Sequence, residues 1–386
     1  MADVSNVLIL HEAATGDFVA MSAGIREIRR IWPSAHITLV VDVRAEALAE
    51  YCPHVDEIIV QLFRANGNTT QGLPNTLTNI VAKINVFSEV AEKLLVRRYD
   101  IAFATLYSAY PSTPLLAYMA GARRRISHVK NIYWAPLLTD RVPTKNYGSH
   151  AADRVLSYVE YVTKVRPTNR RLEAWFPSDD VDAVKKIIPP SKKLYAIGLG
   201  SGHAQNHYPP KLYAELIRLI MSEDDEVNFI VLGGSNEVDE SVALMENVDP
   251  HRVTNLVDKI SFRQTAAALS LCDLYIGNDT GSTHLAAANA KPVLAVYPYP
   301  LDLNRAAKSY HRWHPYCVPA IIVCPAHALP RCRGSKNFFG CRVNKPHCIT
   351  QITPADLFSA YKILLERVDD GNTKYAIFNP EKGALV

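Results

Sequence analysis

The chain has 386 residues, more than one ordinary hydrophobic core contains, and this length predicts two domains. Apolar residues make up 48% of the chain and charged residues 21%, a composition typical of folded globular proteins and not of disordered ones. The net charge of +4 is too mild to indicate a polyanionic partner. The sequence contains no motif of a nucleic-acid-binding module, so we expect no nucleic-acid partner.

The N-terminus leads directly into an apolar strand at Val7–Leu10. It lacks the basic start, the long apolar centre and the small-residue cleavage site of a signal peptide. No apolar run approaches the length that crosses a bilayer. We therefore expect a cytoplasmic protein, while contact with a membrane surface and the oligomeric state stay open.

The first half of the chain alternates short apolar strands with amphipathic helices, which indicates parallel β-α-β units. After the first strand, a loop runs to Asp17, and apolar residues then recur at helical spacing from Phe18 to Trp32. The segment Arg64–Asn85 interrupts this alternation and is predicted to be a loop that could grip an acceptor. Further strands are predicted at His36–Val41, Glu57–Val60 and Ile101–Ala104.

A polar, proline-bearing stretch between Phe176 and Lys193 is the predicted domain boundary. It separates an N-terminal domain, 1–180, from a C-terminal domain, 190–365, which is followed by a tail, 366–386. Two doubly wound domains in succession predict a cleft between the carboxyl ends of their strands. The predicted strands of the second domain are Leu194–Leu199, Asn228–Leu232, Leu274–Gly277 and Val293–Tyr297, and its predicted helices are Pro210–Met221, Ser235–Met245, Ser261–Leu271 and Ser282–Asn289.

The segment Gly277–Pro298 contains the strongest chemical signal of the chain. A strand ends at Gly277, and a four-residue loop then leads into a helix that starts near Ser282. Unpaired amides and the positive end of a helix suit a diphosphate, and Gly281 allows close backbone approach. An ordinary capped turn is the alternative reading. The hydroxyl groups of this turn come from Thr280, Ser282 and Thr283.

The order of these residues resembles glycosyltransferase family 9, the ADP-heptose:lipopolysaccharide heptosyltransferases. The family's D-[TS]-G-x-x-H-x-x-A-A segment, followed by a proline-led strand, is matched by Asp279, Thr280, Gly281, His284, Ala287, Ala288 and Pro292. The resemblance spans most of the chain and also rests on Gly16-Asp17, Gly121–Ile126, His207-Tyr208-Pro209 and Gly233-Gly234 with Glu237.

This resemblance implies an α/β fold of the GT-B type, with two Rossmann-like, doubly wound domains facing across a cleft. It implies an inverting mechanism that requires no cofactor. Asp17 would be the catalytic base, taking the proton of an acceptor hydroxyl as that oxygen attacks the anomeric carbon. Capping of the following helix is the alternative role for Asp17.

The partners that the resemblance implies are a nucleotide-sugar donor and an acceptor. ADP-heptose is the favoured donor, and the acceptor hydroxyl would belong to lipopolysaccharide core or to a protein. Such an enzyme would work in the cytoplasm and could contact the cytoplasmic face of the inner membrane.

The resemblance also assigns donor-binding residues. The charge of the leaving diphosphate must be neutralised in the transition state. Glu237, which follows Gly233, would bind the donor ribose hydroxyls, with surface solvation as its alternative. For His284 the alternative is a helix residue with satisfied ring nitrogens. The residues expected around the diphosphate are Asp279, Thr280, Gly281, Ser282, Thr283 and His284.

Two positions depart from the family pattern. His11 and Asn206 stand where the family has lysines, which are expected near the donor phosphate or an acceptor anion. Only a protonated His11 would carry charge. Either another cation replaces these lysines, or the donor and acceptor differ, or activity is lost; the available cations are Arg305, Arg312 and Lys211.

Gly16 and Arg123 are further candidates for contact with an acceptor or a phosphate. Arg123 belongs to the run Arg123–Arg125, and Arg170-Arg171 forms a second basic pair. Solvated turn residues are the equal alternative for both clusters.

A cysteine-rich loop, 317–348, lies late in the chain. Without a signal peptide we expect no disulfides there. Soft sulfur ligands could instead hold a structural Zn or Fe distant from catalysis, with His327 or His347 as substitutes, or the thiols could be free and buried. The resemblance extends to this loop, because some relatives that glycosylate proteins bind iron through such cysteines. The four candidate ligands are Cys324, Cys332, Cys341 and Cys348.

Two other classes of protein fit the same scaffold. A sugar-nucleotide epimerase would need a second acid–base carboxylate near Asp17, and none is obvious in the sequence. A non-catalytic sugar-nucleotide-binding or assembly protein is favoured by the absence of both lysines.

Overall fold

A computed structural model of the chain describes residues 4–12, 15–61, 89–104, 112–127, 132–143, 150–202, 204–299, 310–329 and 345–385. The chain divides into two compact units, Met1–Arg170 and Arg171–Val386. Within the described ranges, no helix is both long and apolar enough to cross a membrane. The predicted acceptor-gripping loop, Arg64–Asn85, lies outside the described residues.

The N-terminal unit is built on a parallel sheet, whose described strands run in the order β3-β2-β1-β4-β5-β6. This is the Rossmann order, in which the direction of winding reverses between β1 and β4. Val7 of β1 pairs with Ile37 on one side and with Ile101 on the other. The strands are β1 (Asn6–His11), β2 (His36–Asp42), β3 (Glu57–Gln61), β4 (Ile101–Phe103), β5 (Arg124–Ser127) and β6 (Asp140–Arg141).

Helices cover both faces of this sheet because each has one apolar side. The apolar stripe predicted from Phe18 onward is buried, with Phe18 1% exposed and Ile25 fully enclosed. The first helix begins earlier than its apolar stripe, so the loop before it is shorter than predicted. The labelled helices are α1 (Thr15–Ile31), α2 (Glu46–Ala49), α3 (Ser112–Met119) and α4 (Ala151–Thr163).

The C-terminal unit has a larger sheet, whose described strands run in the order β14-β13-β12-β11-β10-β7-β8-β9. From β9 to β12 it repeats the Rossmann order, with the reversal between β7 and β10. β13 continues the parallel sheet, and β14 pairs with β13 in the antiparallel direction. The strands are β7 (Lys193–Gly198), β8 (Val227–Leu232), β9 (Val253–Asn255), β10 (Leu274–Asn278), β11 (Val293–Val296), β12 (Ala320–Val323), β13 (Tyr375–Asn379) and β14 (Ala384–Leu385).

Amphipathic helices cover the C-terminal sheet as well. Tyr195 of β7 packs edge-on against Phe229 of β8, with ring centroids 5.7 Å apart. Its hydroxyl lies 3.2 Å from that of Tyr361 on the last helix. The labelled helices are α5 (Ser178–Lys185), α6 (Pro210–Glu223), α7 (Val238–Met245), α8 (Phe262–Leu271), α9 (Gly281–Ala288), α10 (Tyr310–Trp313) and α11 (Pro354–Asp369).

The division between the units falls earlier than the predicted stretch at 180–190. Glu27 of α1 accepts hydrogen bonds from the backbone amides of Thr168 and Asn169, at 3.3 and 3.4 Å, and so holds the end of the first unit. The polar segment after it is not a linker, because α5 packs on α8 through the ion pair between Asp180 and Arg263, at 2.5 Å.

Residues 366–386 are not a tail. They contain the end of α11 and the strands β13 and β14, and Phe378 of β13 is only 1% exposed. Most residues of β13 are half-exposed and show no clear apolar alternation, which is why the sequence pattern did not indicate this strand.

The ring of Tyr275 crosses the ends of β7 and β10, where both strands have glycine. An alanine Cβ at position 198 would lie 2.0 Å from the Tyr275 hydroxyl oxygen, and one at position 277 would lie 2.4 Å from it. We therefore expect Gly198→Ala to lower the free energy of unfolding by roughly 1–3 kcal/mol, measured by urea denaturation.

Gly202→Ala is the matched control for this substitution, because a Cβ there would meet no atom within 4 Å. We expect it to leave the denaturation midpoint close to that of the wild type. Equal midpoints for Gly198→Ala and Gly202→Ala would contradict the packing of Tyr275 across the strand ends.

Candidate active site

Asn278 closes the crevice where winding reverses in the C-terminal sheet. This last residue of β10 is fully buried, and its side-chain amide connects β10 to the segments that follow β7. Its Nδ2 donates to the carbonyl oxygens of Leu199, at 2.6 Å, and Gly200, at 3.4 Å. Its Oδ1 accepts from the Tyr208 amide, at 3.1 Å, and the Tyr213 hydroxyl, at 2.9 Å. Ligands of doubly wound sheets bind in this crevice.

No role of Asn278 was predicted from the sequence. The available signal was an amide residue at the end of a buried apolar strand, directly before the Asp-Thr-Gly motif. A buried amide must satisfy its donors and acceptors, so it was a candidate for organising the loops around it.

Helix α9 begins in the same crevice. Thr280 is extended (φ −154°, ψ 171°), and its side chain makes no capping hydrogen bond in the described structure. The Thr283 hydroxyl is fully buried and donates to the Asn278 carbonyl oxygen, at 2.5 Å. The prediction that Thr283 offers a hydroxyl to the diphosphate is therefore wrong, because the helix turns this side chain inward. The amides of Gly281 and Ser282 have no partner one turn earlier within the helix and remain anion donors.

Gly281 also has a packing role. A Cβ at this position would lie 3.0 Å from Cζ of Phe262 at the start of α8. A larger residue at this position would require the Phe262 ring to shift by a few tenths of an ångström.

Asp279 stands between the end of β10 and α9. Burial raises the pKa of its carboxyl group to about 7, while a hydrogen bond from the Tyr297 hydroxyl acts in the opposite direction. At neutral pH the protonated and ionised forms of Asp279 are comparably populated. The Tyr297 hydroxyl also lies 2.9 Å from the backbone oxygen of Trp313, and its single proton is shared between these two acceptors.

His284 is buried within α9 and is only 4% exposed. Burial, and to a lesser extent His314, lowers its pKa to about 4, so its imidazole is neutral at pH 7. Its ring packs edge-on against Trp313, with centroids 5.7 Å apart, and its Nδ1 has no hydrogen-bond partner among the described residues. His284 is therefore uncharged at neutral pH in the protein without bound ligand.

Glu237 follows the second strand of the C-terminal sheet, after Gly233 and Gly234. It is 7% exposed, so surface solvation is not its role. Its Oε2 accepts from the Gly234 amide, at 2.7 Å, and its carboxylate lies beside Gly200. An acidic residue after the second strand of a Rossmann sheet is the usual partner of ribose hydroxyls. The predicted ribose-binding role of Glu237 remains a prediction that this position favours.

His207 is held between two acceptors. Its Nδ1 lies 2.9 Å from a carboxylate oxygen of Glu240, and its Nε2 lies 3.1 Å from the Ser201 carbonyl oxygen. Both ring nitrogens therefore have reason to carry protons. The hydrogen bond to Glu240 raises the pKa of His207 above its ordinary value of 6.5.

This contact predicts a pH-dependent contribution to stability. Because the pKa of His207 is higher in the folded state, its stabilisation is complete below about pH 6.5 and is lost as the pH rises through the folded value. We expect Glu240→Gln to lower the urea denaturation midpoint at about pH 5.5 more than at about pH 8.5. A midpoint difference that does not change between these conditions would contradict a protonated His207.

The cations that could replace the two missing family lysines lie in different surroundings. Lys211 is exposed in the first turn of α6, and Asn206 is half-buried at the end of a short 3₁₀ turn. The Arg312 guanidinium carbon lies 5.8 Å from the Trp313 ring centroid, and Trp313 in turn contacts His284 of α9. Arg305 lies outside the described residues.

Asp17 lies where winding reverses in the N-terminal sheet. It is the third residue of α1, which follows β1, and it is half-buried directly after Gly16. The alternative role of N-cap is wrong, because the helix begins two residues before Asp17. A carboxylate in the first helical turn is stabilised by the amide dipoles and keeps its oxygens near the carboxyl edge of the sheet.

Two other N-terminal candidates do not lie exposed at this edge. His11, at the end of β1, is 1% exposed and packs 5.5 Å from the Phe18 ring, so it is not a surface cation. Arg123 precedes β5 and therefore lies at the opposite, amino edge of the sheet, 3.6 Å from Asp100. Arg124 of the same run pairs with Asp140 at 2.8 Å. The run stabilises the fold at the amino edge.

Two of the four candidate metal-binding cysteines are described. Cys324 follows β12 and Cys348 begins a 3₁₀ turn; both are buried and neither forms a disulfide among the described residues, and the Tyr299 amide donates to Cys348 Sγ at 3.4 Å. Burial raises the pKa of the Cys324 thiol, and Cys348 and Asp279 raise it further. Cys324 thus interacts electrostatically with Asp279 of the predicted donor site. That a metal held by this cluster would be structural and distant from catalysis stays a prediction.

The other members of the cluster do not complete a described site. Cys332 and Cys341 lie outside the described residues, and His327 pairs with Glu381. His347 precedes the 3₁₀ turn of Cys348. Within the described ranges, no group of three or more metal-binding side chains occurs.

Two successive Rossmann sheets with a crevice at α9 are the architecture of a glycosyltransferase of the GT-B fold. The chain belongs to glycosyltransferase family 9 (heptosyltransferase), whose pattern it matches over residues 87–329. This membership sets aside the epimerase and the binding-only alternatives.

Known relatives support this assignment. The chain is 21% identical to lipopolysaccharide heptosyltransferase 2 of Salmonella typhimurium, over 75% of this chain and 82% of that protein. A solved glycosyltransferase family 9 structure from Veillonella parvula matches with a TM-score of 0.75 and 18% identity, covering 95% of this chain and 98% of that one. ADP-heptose lipopolysaccharide heptosyltransferase II of E. coli matches with a TM-score of 0.65 and 16% identity, covering 94% and 99%.

Proposed function

We propose that this glycosyltransferase moves heptose from ADP-heptose to a hydroxyl group of lipopolysaccharide core, with inversion at the anomeric carbon. The observation that carries the proposal is the pairing of two features at one sheet edge. The amides of the first turn of α9, which have no intrahelical acceptor, suit a diphosphate. Glu237, after the second strand of the same sheet, suits a ribose. The named E. coli and Salmonella relatives act in heptose transfer to lipopolysaccharide.

In this mechanism the chain supplies a base and an anion site. The Asp17 carboxylate accepts the proton of the acceptor hydroxyl as its oxygen forms the new bond to the anomeric carbon. The bond from that carbon to the diphosphate oxygen breaks, and the departing charge is stabilised by the amides of Gly281 and Ser282.

A cation is also needed beside the diphosphate, because Asn206 has no charge and His284 is neutral. We assign this role to Arg312, whose guanidinium stacks near Trp313 and hence near α9. Arginine keeps its charge at any physiological pH.

The test is a thermal-shift screen of ADP, UDP, GDP and CDP and of their sugar conjugates, followed by a transfer assay. A ligand that binds only the folded state raises the melting temperature by mass action. We expect the largest shifts with ADP and ADP-heptose, and transfer of heptose to core from a heptose-deficient strain. A larger shift with another nucleotide would reassign the donor, and transfer to a protein but not to core would reassign the acceptor.

We further propose that the cysteine-rich loop holds a structural Zn or Fe. The support is that Cys324 and Cys348, two buried soft ligands, interact electrostatically at one end of the C-terminal sheet. Bound metal would stabilise this region without taking part in transfer. Elemental analysis of the purified protein should find about one metal ion per chain, and Cys324→Ser should lower that content. Protein that contains neither metal would refute this proposal.

A further inference from the structure

The N-terminal sheet has an acidic residue in the same topological position as Glu237. Asp42 is the last residue of β2, the second strand of its Rossmann sheet, and it is 1% exposed. Its Oδ1 accepts from the backbone amide and the Nε of Arg44, at 3.1 and 2.6 Å. Its Oδ2 is buried and has no hydrogen-bond partner among the described residues. One carboxylate oxygen is thus fixed and the other lacks a donor.

A second unpartnered oxygen lies on the neighbouring strand. Gln61 ends β3, pairs in register with Asp42 and is 3% exposed. Its Oε1 is likewise buried without a partner among the described residues. Neighbouring parallel strands lie about 4.8 Å apart, and residues in register lie on the same face of the sheet. Two buried oxygen acceptors therefore belong to residues on the same face of neighbouring strands at the carboxyl edge, where two donors of one ligand would satisfy both.

The position of these acceptors relates them to the proposed base. The Thr15 hydroxyl, in the first turn of α1, donates to the Arg44 carbonyl oxygen at 3.3 Å. Thr15 is two residues before Asp17, and Arg44 is two residues after Asp42. The start of α1 and the end of β2 therefore form one corner of the N-terminal unit.

We propose that Asp42 and Gln61 form a subsite that binds two neighbouring hydroxyl groups of a saccharide acceptor. This inference rests on the proposed transferase function and specifies its acceptor side. Arg44 balances the charge of Asp42, so the subsite is close to neutral and accepts hydrogen bonds from uncharged hydroxyls. A buried polar atom without a partner is costly, and such atoms are retained where a ligand completes them.

Gln61→Met is the decisive variant because it removes the amide at nearly constant volume. We expect the KM for heptose-deficient core to rise by roughly tenfold or more, with a smaller change in kcat and an unchanged dissociation constant for ADP. The melting temperature should stay equal or rise, because an unpartnered buried oxygen is replaced by an apolar group. An acceptor KM equal to that of the wild type would overturn the subsite.

Asp42→Asn is the second variant. It keeps one oxygen as the hydrogen-bond acceptor for Arg44 and replaces the other carboxylate oxygen, the proposed acceptor for a ligand hydroxyl, by an amide nitrogen. We expect the same rise in acceptor KM relative to the wild type. With an acceptor that lacks one of the bound hydroxyls, the variant and the wild type should have similar KM values. Monodeoxy analogues of the core sugar provide that comparison. For each analogue, the rise in KM relative to the complete acceptor is compared between the variant and the wild type. If this rise is the same in both proteins for every analogue, the subsite does not bind hydroxyls.

The matched control is Glu57→Gln, at the opposite end of β3. Glu57 accepts hydrogen bonds from His36, Thr38 and Arg97, all between 3.1 and 3.2 Å. This control should lower the melting temperature and leave the acceptor KM unchanged, the reverse of Gln61→Met. A wild type that neither binds ADP nor transfers heptose refutes the proposed function, whereas an active wild type with unaltered variants refutes only the subsite.

Discussion

Replacing Asp17 by Asn should slow sugar transfer by about 10²- to 10⁴-fold, the usual contribution of a positioned general base. The amide keeps the size of the side chain but cannot accept a proton. Binding of the nucleotide should be unchanged, because the donor features belong to the other unit of the chain. Single-turnover transfer rates and calorimetric titration with ADP measure the two quantities separately.

The chain offers a matched control for the structural role of Asp17. Asp153 is also the third residue of a helix in the same unit, at the start of α4, and it pairs with Arg170. Asp153→Asn should lose a comparable helix-terminus interaction, worth about 0.3–1 kcal/mol, without loss of transfer rate. Equal rates for Asp17→Asn and the wild type would exclude Asp17 as the base.

Removal of the Asn278 side chain should have the largest effect on stability. Asn278→Ala leaves the Leu199 carbonyl, the Tyr208 amide and the Tyr213 hydroxyl without their buried partner. Each buried group left unpaired costs about 1–3 kcal/mol, so we expect a loss of about 3 kcal/mol or more in the free energy of unfolding. The loop that joins β10 to α9 should also become disordered, and ADP should bind more weakly.

Urea denaturation and ADP titration of the same sample test both parts of this prediction. Asn289→Ala serves as the control, because its side chain donates only to the carbonyl oxygens of Ala266 and Leu285, at 3.2 and 2.9 Å, at the far end of α9. We expect a smaller loss of stability and unchanged affinity for ADP. If the two variants behaved alike, Asn278 would not organise the crevice.

The central strands of both sheets were predictable from the sequence because buried parallel strands are continuous apolar runs, whereas β6, β9 and β12 to β14 were not predicted. The strand predicted at Val293–Tyr297 differs from β11 by one residue, and that at Leu194–Leu199 differs from β7 by one at each end. Helix α5 was missed because its residues are mostly polar. Its packing depends on single contacts, such as the ion pair of Asp180, and these have no periodic pattern.

The site was predictable in its residue types and only partly in its geometry. The Asp-Thr-Gly motif does lie at the start of a helix where winding reverses. Whether Thr283 points to a ligand or to Asn278 depends on a hydrogen bond across one helical turn, which composition does not specify. The acidic residue Asp42 was missed because it ends a strand without a recognisable motif. Its proposed role depends on its contacts with Arg44 and on Gln61, which lies on the neighbouring strand β3.

The reversed strand β14 has a consequence for solubility. A sheet rim with many unpaired peptide groups can recruit a strand from another molecule, and proteins avoid this with very short rim strands. Here β14 is only Ala384–Leu385 and pairs with Phe378 and Asn379 of β13, whereas the residues of β12 two strands inward are fully buried. The short antiparallel strand thus offers few peptide groups to a strand of another molecule, and the apolar β12 is kept inside the sheet.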